Sequence, residues 1–127
     1  MRYENIIGSF ALAAGLFVAG GAMAAGDADV GKVIFSKTCA NCHSVDVGVN
    51  KVGPSLFGII GRKAGVVQGF GYSDALKDSD KTWTVEELDA YLSNPRGTVH
   101  GVKMNFKGLP AANERADVIA YLQSLQD

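Results

Sequence analysis

The sequence predicts an all-α fold of three or more helices joined by long loops. Two observations lead to this fold class. Apolar residues recur at helical spacing in several segments, and no segment shows the sustained two-residue alternation of a strand. The chain that follows residue 26 is also short, and a domain of about 100 residues buries only about two-thirds of its unfolded surface. Since these helices would cover little core, we expect a large apolar cofactor to fill the centre.

Composition, charge and length exclude several classes of protein. The chain has 127 residues, of which 47% are hydrophobic, and a formal net charge of -1. This balance excludes a nucleic-acid-binding protein and an acidic disordered tail, and the length excludes a multidomain enzyme. We therefore expect one small domain preceded by an apolar N-terminal segment.

The N-terminal segment has the features of an export signal. Arg2 precedes an apolar stretch from Ile6 to Val18, and small residues at 22–25 offer a cleavage site. We therefore predict a signal peptide over residues 1–25. The alternative is an uncleaved membrane anchor, because the uncharged run from Ile6 to Gly26 has 21 residues and about 20 apolar residues can span a bilayer. The five glycines of this run favour cleavage.

The first half of the mature chain is predicted to contain one full helix, from Asp27 to Cys39. Gly31 leaves room there for another backbone to approach. Residues 44–71 are rich in glycine and show no sustained periodicity, so we predict an ordered loop, which at this length needs something to wrap. Ser73 then caps a single helical turn from Asp74 to Lys77.

Two further helices are predicted in the second half of the chain. A capping box at Thr84–Glu87 opens a helix that ends near Ser93. Residues 96–108 return to loop. The last helix is predicted from Ala111 to Leu125, with Pro110 in its first turn.

The segment Cys39-Ala40-Asn41-Cys42-His43 is the strongest motif of the sequence. Two cysteines three residues apart, followed at once by histidine, are the attachment signature of c-type haem. The two thiols reach the two vinyl groups of one porphyrin edge, and His43 is placed beneath the iron. Three alternatives are less favoured: a zinc site that would need His100 as its fourth ligand, a thioredoxin-like redox pair without its βαβ pattern, and a plain disulfide.

A second axial ligand is expected on the loop before the last helix. Met104 is the methionine that remains once the leader is removed. His100 is the rival ligand, and a second imidazole would give a lower reduction potential than a thioether. With His43 and Met104 both bound, the iron has no open position, so we expect reversible one-electron exchange and no enzyme activity. A labile Met104 would instead give a haem enzyme or ligand-binding module.

The sequence resembles the class I cytochromes c, specifically the mitochondrial type and its soluble bacterial periplasmic relatives. The resemblance extends from about Gly26 to Gln123 and predicts a small class I cytochrome c fold over residues 26–127, with one haem c bound covalently through two thioethers. The matching motifs are Cys39–His43, Gly53–Gly58, Gly61–Lys63, Gly69–Ala75, Trp83, Tyr91–Leu92, Asn94–Pro95, Lys103–Met104, Phe106 and Ile119–Leu122.

The resemblance implies roles for individual residues. The carbonyl of Pro54 is expected to accept a hydrogen bond from the free ring N–H of His43, and Tyr91 matches a position that hydrogen-bonds the methionine sulfur. Positions that hold a haem propionate are matched by Arg62, Tyr72 and Trp83. Positions at the contact of the first and last helices are matched by Gly31, Phe35 and Tyr121.

Two departures from the family pattern concern the haem crevice. The family usually has Pro-Gly-Thr before Lys-Met, whereas this chain has His100-Gly101-Val102, so one hydroxyl is missing. Leu76 stands where an asparagine is common in the mitochondrial proteins. Both changes make the crevice slightly more apolar.

Charge is segregated along the chain. Cations exceed acids by four between Val30 and Tyr72 and by three between Ala90 and Leu109, whereas acids exceed cations by four between Asp74 and Asp89. The two positive segments carry the predicted iron ligands. Scattered solvated charges are the simpler interpretation, but the segregation favours a positive surface at the haem edge that steers acidic docking sites.

The resulting hypothesis is a monomeric, diffusible electron carrier of the bacterial periplasm. The resemblance implies that its partners are membrane electron-transfer complexes: a quinol-oxidising cytochrome complex as donor, and a terminal oxidase or photosynthetic reaction centre as acceptor. A membrane-anchored form of the same carrier, with residues 6–26 retained, is the second hypothesis.

Overall fold

The computed structural model describes residues 13–15 and 25–126. The predicted signal peptide over residues 1–25 therefore lies almost entirely outside the described residues. The described chain contains helices and one isolated backbone bridge, between Lys63 and Thr82, so the all-α prediction is confirmed. Its helices are α1 (Ala28–Thr38), α2 (Asp74–Lys77), α3 (Val85–Ser93), α4 (Pro95–Thr98) and α5 (Ala112–Gln123). None of these helices is long and apolar enough to cross a membrane.

The frame of the fold is the crossing of α1 and α5. The backbones approach so closely that a methyl group on Gly31 would overlap the carbonyl oxygen of Asp117. Beside this contact the rings of Phe35 and Tyr121 pack edge to face, with centroids 5.5 Å apart. The backbone N–H of Asp27 donates to the carboxylate of Asp117 at 2.8 Å. The crossing fixes the direction in which α1 delivers the cysteine motif that follows it.

The long loop is ordered because it runs beside the segment before α3. The N–H of Gly61 donates to the carbonyl of Trp83, and the N–H of Trp83 donates to the carbonyl of Arg62, both at 2.8 Å. The N–H of Ala64 donates to the carbonyl of Lys81 at 2.8 Å. These bonds satisfy backbone groups that a glycine-rich loop would otherwise leave open.

The predicted capping box of α3 is only half formed. The Thr84 hydroxyl accepts from the N–H of Glu87 at 3.1 Å. The Glu87 carboxylate, however, pairs with the ammonium of Lys81 at 3.0 Å. A charged donor is a stronger partner than a neutral N–H, and the N–H of Thr84 donates to the carbonyl of Thr82. A capping box also requires the Glu87 carboxylate to accept from the backbone N–H of Thr84. That part of the prediction was therefore wrong.

Two helix boundaries also differ from the prediction. The segment predicted as loop from residue 96 begins with α4, because Asn94 caps the N–H of Gly97 at 3.1 Å and Pro95 starts the turn. Helix α5 begins at Ala112, so Pro110 lies before the helix and not in its first turn. Ala111, the N-cap, has no side-chain oxygen to cap the turn.

Candidate functional site

A cavity of about 500 Å³ lies among the helices and loops. Its volume falls within the usual range of small-molecule and cofactor sites, about 300–1,000 Å³. All of the residues that were predicted to bind a cofactor or metal contribute to its lining. They are Cys39, Cys42, His43, Pro54, Arg62, Tyr72, Trp83, Tyr91 and Met104.

The cysteine motif forms a tight turn directly after α1. The N–H of Cys39 donates to the carbonyl of Phe35, which ends the helix. The N–H groups of Cys42 and His43 then both donate to the carbonyl of Cys39, at 3.1 and 3.0 Å. This turn keeps both cysteines and the histidine on the wall of one cavity.

His43 is oriented by a backbone carbonyl. Its Nδ1 lies 2.7 Å from the carbonyl oxygen of Pro54, so the ring donates at Nδ1. This bond fixes the tautomer in which Nε2 keeps its lone pair. Burial lowers the pKa of His43, opposed by the hydrogen bond to Pro54. The neutral imidazole that a metal requires is therefore the favoured form.

Gly53 lies against the face of that imidazole. A methyl group at this position would overlap Cε1, Nδ1 and Nε2 of the His43 ring. The N–H of Gly53 donates to the carbonyl of Cys42 at 2.7 Å, which holds the two segments together. Sequence reasoning placed Gly53 in a motif but did not assign it this role, because the contact depends on the folded turn.

The thiols have the properties of neither a redox pair nor a zinc site. Burial, together with the neighbouring Cys42, raises the pKa of the Cys39 thiol to about 11. Reactive redox cysteines have a lowered pKa. Both cysteines are free, and no group of three or more metal-ligating side chains is found within residues 13–15 and 25–126. The raised pKa of Cys39 therefore gives no support to the redox-pair alternative.

Arg62 brings a positive charge to the cavity wall. Its guanidinium donates to the carbonyls of Ser55 at 2.9 Å and Phe57 at 3.2 Å. Within the described residues the guanidinium has no carboxylate partner. Burial lowers the pKa of Arg62, because it disfavours the charged form. A partly buried cation without an anion fits a ligand that carries a carboxylate, as a haem propionate does. The hydroxyl of Tyr72 is turned toward the same loop and accepts from the N–H of Val67 at 3.1 Å.

Trp83 and Tyr91 form a packed aromatic pair on the cavity wall. Their ring centroids are 4.9 Å apart, and each residue is 7% exposed. Burial raises the pKa of Tyr91 to about 12, so its phenol stays neutral and can donate a hydrogen bond at all physiological pH values. No bond from Tyr91 to Met104 is formed in the described chain, so that role stays a prediction.

Met104 lies on the loop between α4 and α5. Its side chain is half-buried and lines the cavity, whereas His100 is exposed and does not contribute to the lining. The loop is fixed at its ends by the buried Val99 and Leu109. This placement favours Met104 over His100 as the second ligand.

Comparison with known proteins decides the family. Residues 28–126 match the family model described as Cytochrome c. The chain belongs to the cytochrome c family. The fold agrees with the solved structure of cytochrome cH from Methylobacterium extorquens, with a TM-score of 0.74 and 41% identity over 78% of this chain and 99% of that one.

Curated relatives come from several branches of this family. A protein named cytochrome c-type cyt cy, from Rhodobacter capsulatus, is 53% identical over 79% of this chain, which spans 50% of that protein. Cytochrome c2 of Rhodopila globiformis is 44% identical over 80% of this chain and 95% of that protein. Cytochrome c type-1 of Ascaris suum is 50% identical over 77% of this chain and 88% of that protein.

Family membership confirms three predictions. The fold is the small all-α cytochrome c fold. The cytochrome binds one covalent haem c, and Cys39 and Cys42 fit the attachment motif. It carries electrons and is not an enzyme.

Other cavity residues of the cytochrome received no functional assignment from the sequence. Lys103, next to Met104, lines the cavity and so does Leu76, the residue that departs from the mitochondrial pattern. Apolar lining comes also from Leu56, Ile59, Leu88, Leu92, Phe106 and Leu122. Leu88 and Leu92 lie four residues apart on α3, so that one face of this helix borders the cavity.

Proposed function

We propose that this cytochrome is a diffusible one-electron carrier of the bacterial periplasm, released there by removal of residues 1–25. Its donor in this proposal is a quinol-oxidising cytochrome complex, and its acceptor is a terminal oxidase or a photosynthetic reaction centre. The observation that carries the proposal is that His43 and Met104, from distant segments, line one cavity with both motif cysteines. Its similarity to cytochrome c2 and cytochrome cH from bacteria supports the same role.

The proposed axial ligands are His43 and Met104. Bound haem c supplies reversible one-electron redox chemistry at its iron. The Pro54 carbonyl keeps the His43 ring in the tautomer that can bind a metal. A thioether as the other ligand favours a relatively high reduction potential. With both positions filled, neither oxygen nor peroxide has a coordination site.

The proposed propionate contacts are Arg62, Tyr72 and Trp83. Among the described residues no carboxylate pairs with Arg62 at the cavity wall, and its guanidinium is held in place by the carbonyls of Ser55 and Phe57. The positive charge of Arg62 would compensate the negative charge of a carboxylate placed there, so the carboxylate would not need water as a hydrogen-bond donor. In this proposal Tyr91 donates to the sulfur of Met104 once the haem is bound.

The proposed docking surface includes Lys103, which lines the cavity. Its other exposed cations are Lys51 on the long loop and Lys107 on the Met104 loop. Lys63 is paired with Asp80 of the acidic segment at 3.1 Å, whereas Asp78 and Glu86 of that segment are exposed. Such a charge distribution steers acidic partner sites toward the haem edge.

The docking proposal is tested by the salt dependence of electron transfer to the isolated partner complex. Lys103→Gln, which removes one charge, is expected to slow the second-order rate at low salt and to flatten its salt dependence. Glu86→Gln, on the acidic segment, is the matched single-charge control and should have little effect. Wild-type rates that do not change between about 0.01 M and 1 M salt, across which the screening length falls from about 30 to 3 Å, would contradict the proposal.

A second candidate is the same carrier tethered to the membrane. The uncharged run from Ile6 to Gly26 is long enough to span a bilayer if it is retained. Fractionation of the native host separates the two candidates. Haem protein in the soluble periplasmic fraction supports the diffusible carrier, whereas haem protein that sediments with membranes and needs detergent for release supports the tethered one.

A further inference from the structure

The most buried ion pair of the described chain joins α3 to α5. Nε of Arg115 lies 2.8 Å from Oδ1 of Asp89, and the two side chains are 13% and 26% exposed. The other ion pairs in this part of the chain involve side chains that are at least 23% exposed. Neither Arg115 nor Asp89 lines the haem cavity. The pair therefore has a role that direct cofactor contact does not explain.

The guanidinium of Arg115 also holds the end of the Met104 loop. Nη1 donates to the carbonyl of Leu109 at 2.8 Å and to the carbonyl of Pro110 at 2.9 Å. The N–H of Leu109 donates to the carbonyl of Leu92 on α3 at 2.7 Å. The side chain of Arg115 thus connects the end of the Met104 loop to α3 and α5.

The middle of the same loop has few hydrogen bonds and is held by packing of Val102, Met104 and Phe106 against the core. Within the described chain, residues 100–108 make one hydrogen bond, from the exposed Arg96 to the side chain of Asn105. Residues 100, 101, 103, 105 and 107 are exposed. The position of Met104 consequently depends on this packing and on how firmly the two ends of the loop are fixed.

We propose that Arg115 is a positioning residue for Met104. Asp89 orients the guanidinium, and the guanidinium fixes the carbonyls of Leu109 and Pro110, so the loop returns with the Met104 side chain on the cavity wall. A planar group with several N–H donors can serve one carboxylate and two carbonyls at the same time. The inference rests on the proposed ligation of iron by Met104, and it adds a residue outside the cavity that controls it.

The experiment measures the competition between Met104 and added imidazole in the ferric holoprotein. Imidazole binds when the loop opens, and it removes the thioether-to-iron charge-transfer absorption band. Arg115→Gln is expected to bind imidazole about tenfold more tightly, the change expected when one charge-assisted hydrogen bond to the closed loop is lost. Asp89→Asn should shift the affinity in the same direction by a smaller factor.

Matched controls come from the other ion pair on α3. Glu87→Gln breaks the Lys81–Glu87 pair, which makes no hydrogen bond or ion pair with the Met104 loop in the described part of the chain. This variant should leave the imidazole affinity within about twofold of wild type. Arg115→Lys keeps the charge opposite Asp89 but cannot serve all three acceptors. It is expected to fold and to bind imidazole more tightly than wild type, even if Arg115→Gln proves unstable.

Three results would overturn the proposal, and they differ in what they imply. If the charge-transfer band is present and the Arg115 variants bind imidazole with wild-type affinity, Arg115 does not position Met104, although the ligation stands. If the band is missing from the wild-type ferric protein, both the ligation and the positioning role fail. A shift in Glu87→Gln as large as that in Arg115→Gln would also overturn the proposal, because it would indicate a general loss of stability.

Discussion

Replacement of Gly53 by alanine is the sharpest test of how the chain holds His43. The added methyl group would overlap three atoms of the imidazole ring. Either the ring rotates away from the Pro54 carbonyl, which it now contacts at 2.7 Å, or the loop that carries Gly53 must shift. In both cases the hydrogen bond that fixes the ring is weakened.

The magnitude follows from two contributions. Overpacking of a well-packed site costs about 1–3 kcal/mol, and a typical hydrogen bond contributes about 1 kcal/mol. We therefore expect Gly53→Ala to lower the free energy of unfolding of the holoprotein by about 2–4 kcal/mol. Because the hydrogen bond to Pro54 makes the imidazole a better donor, its loss should also raise the reduction potential.

The assay is guanidinium unfolding followed by haem absorbance, together with a potentiometric titration. Gly48→Ala is the control from the same loop. Gly48 has a φ of 72°, but a methyl group there would meet nothing within 4 Å. That control should lose about 1 kcal/mol through backbone strain and leave the potential unchanged. The reasoning about His43 is refuted if Gly53→Ala is no less stable than Gly48→Ala and has the wild-type potential.

Three further predictions concern other parts of the account. Met104→Ala should abolish the thioether-to-iron absorption band of the ferric protein and lower the reduction potential; an unchanged ferric spectrum would show that another residue is the ligand. Tyr91 has its pKa raised by burial from 10.0 to about 12, so the folded state keeps a proton that the unfolded state loses, and stability should fall as the pH rises from 10 to 12. Tyr91→Phe should make this fall less steep in denaturant titrations, and an identical slope would mean that other groups cause it. Gly31→Ala should separate α1 from α5, because the methyl group meets the Asp117 carbonyl, and a thermal midpoint equal to that of wild type would contradict the close crossing.

The parts of the fold that were predictable from sequence are those fixed by neighbours in the chain. Ser73 and Thr84 cap their helices as expected, because an N-cap hydroxyl needs only an N–H three residues further on. The cysteine motif was equally predictable, because its residues are consecutive in the chain. Gly31 could be identified as a close-approach position because a glycine on an otherwise regular helix indicates a packing requirement.

The parts that sequence reasoning missed depend on competition between distant groups. Glu87 matched a capping box, but Lys81 is nearby in the fold and offers a charged donor. The turn of α4 had a readable signal, Asn94 followed by Pro95, which the sequence analysis did not interpret as a helix start. Arg115 had no local signal, because its acceptors on Asp89 and Leu109 are brought to it only by packing of α5.

The candidate site also contains residues that could be predicted from the sequence and residues whose roles appear only in the folded chain. The attachment motif and elimination identified Cys39, Cys42, His43 and Met104. The resemblance to the cytochromes c supplied the other predicted cavity residues, since single positions such as Arg62 carry no recognisable pattern of their own. The structure adds the physical reason for that position: a guanidinium fixed by two carbonyls, with its charge unpaired in the described chain. Gly53 and Arg115 are additions of the structure alone, since both act through contacts that exist only in the folded chain.

The most direct test of the proposed function is the intact mass of the protein purified from its native host. Removal of the leader and covalent addition of haem change the mass in opposite directions by separable amounts. The account predicts the mass of a chain that begins near residue 26 plus one haem. A mass that keeps residues 1–25 would contradict the diffusible carrier, and a mass without haem would contradict the assignment of Cys39 and Cys42.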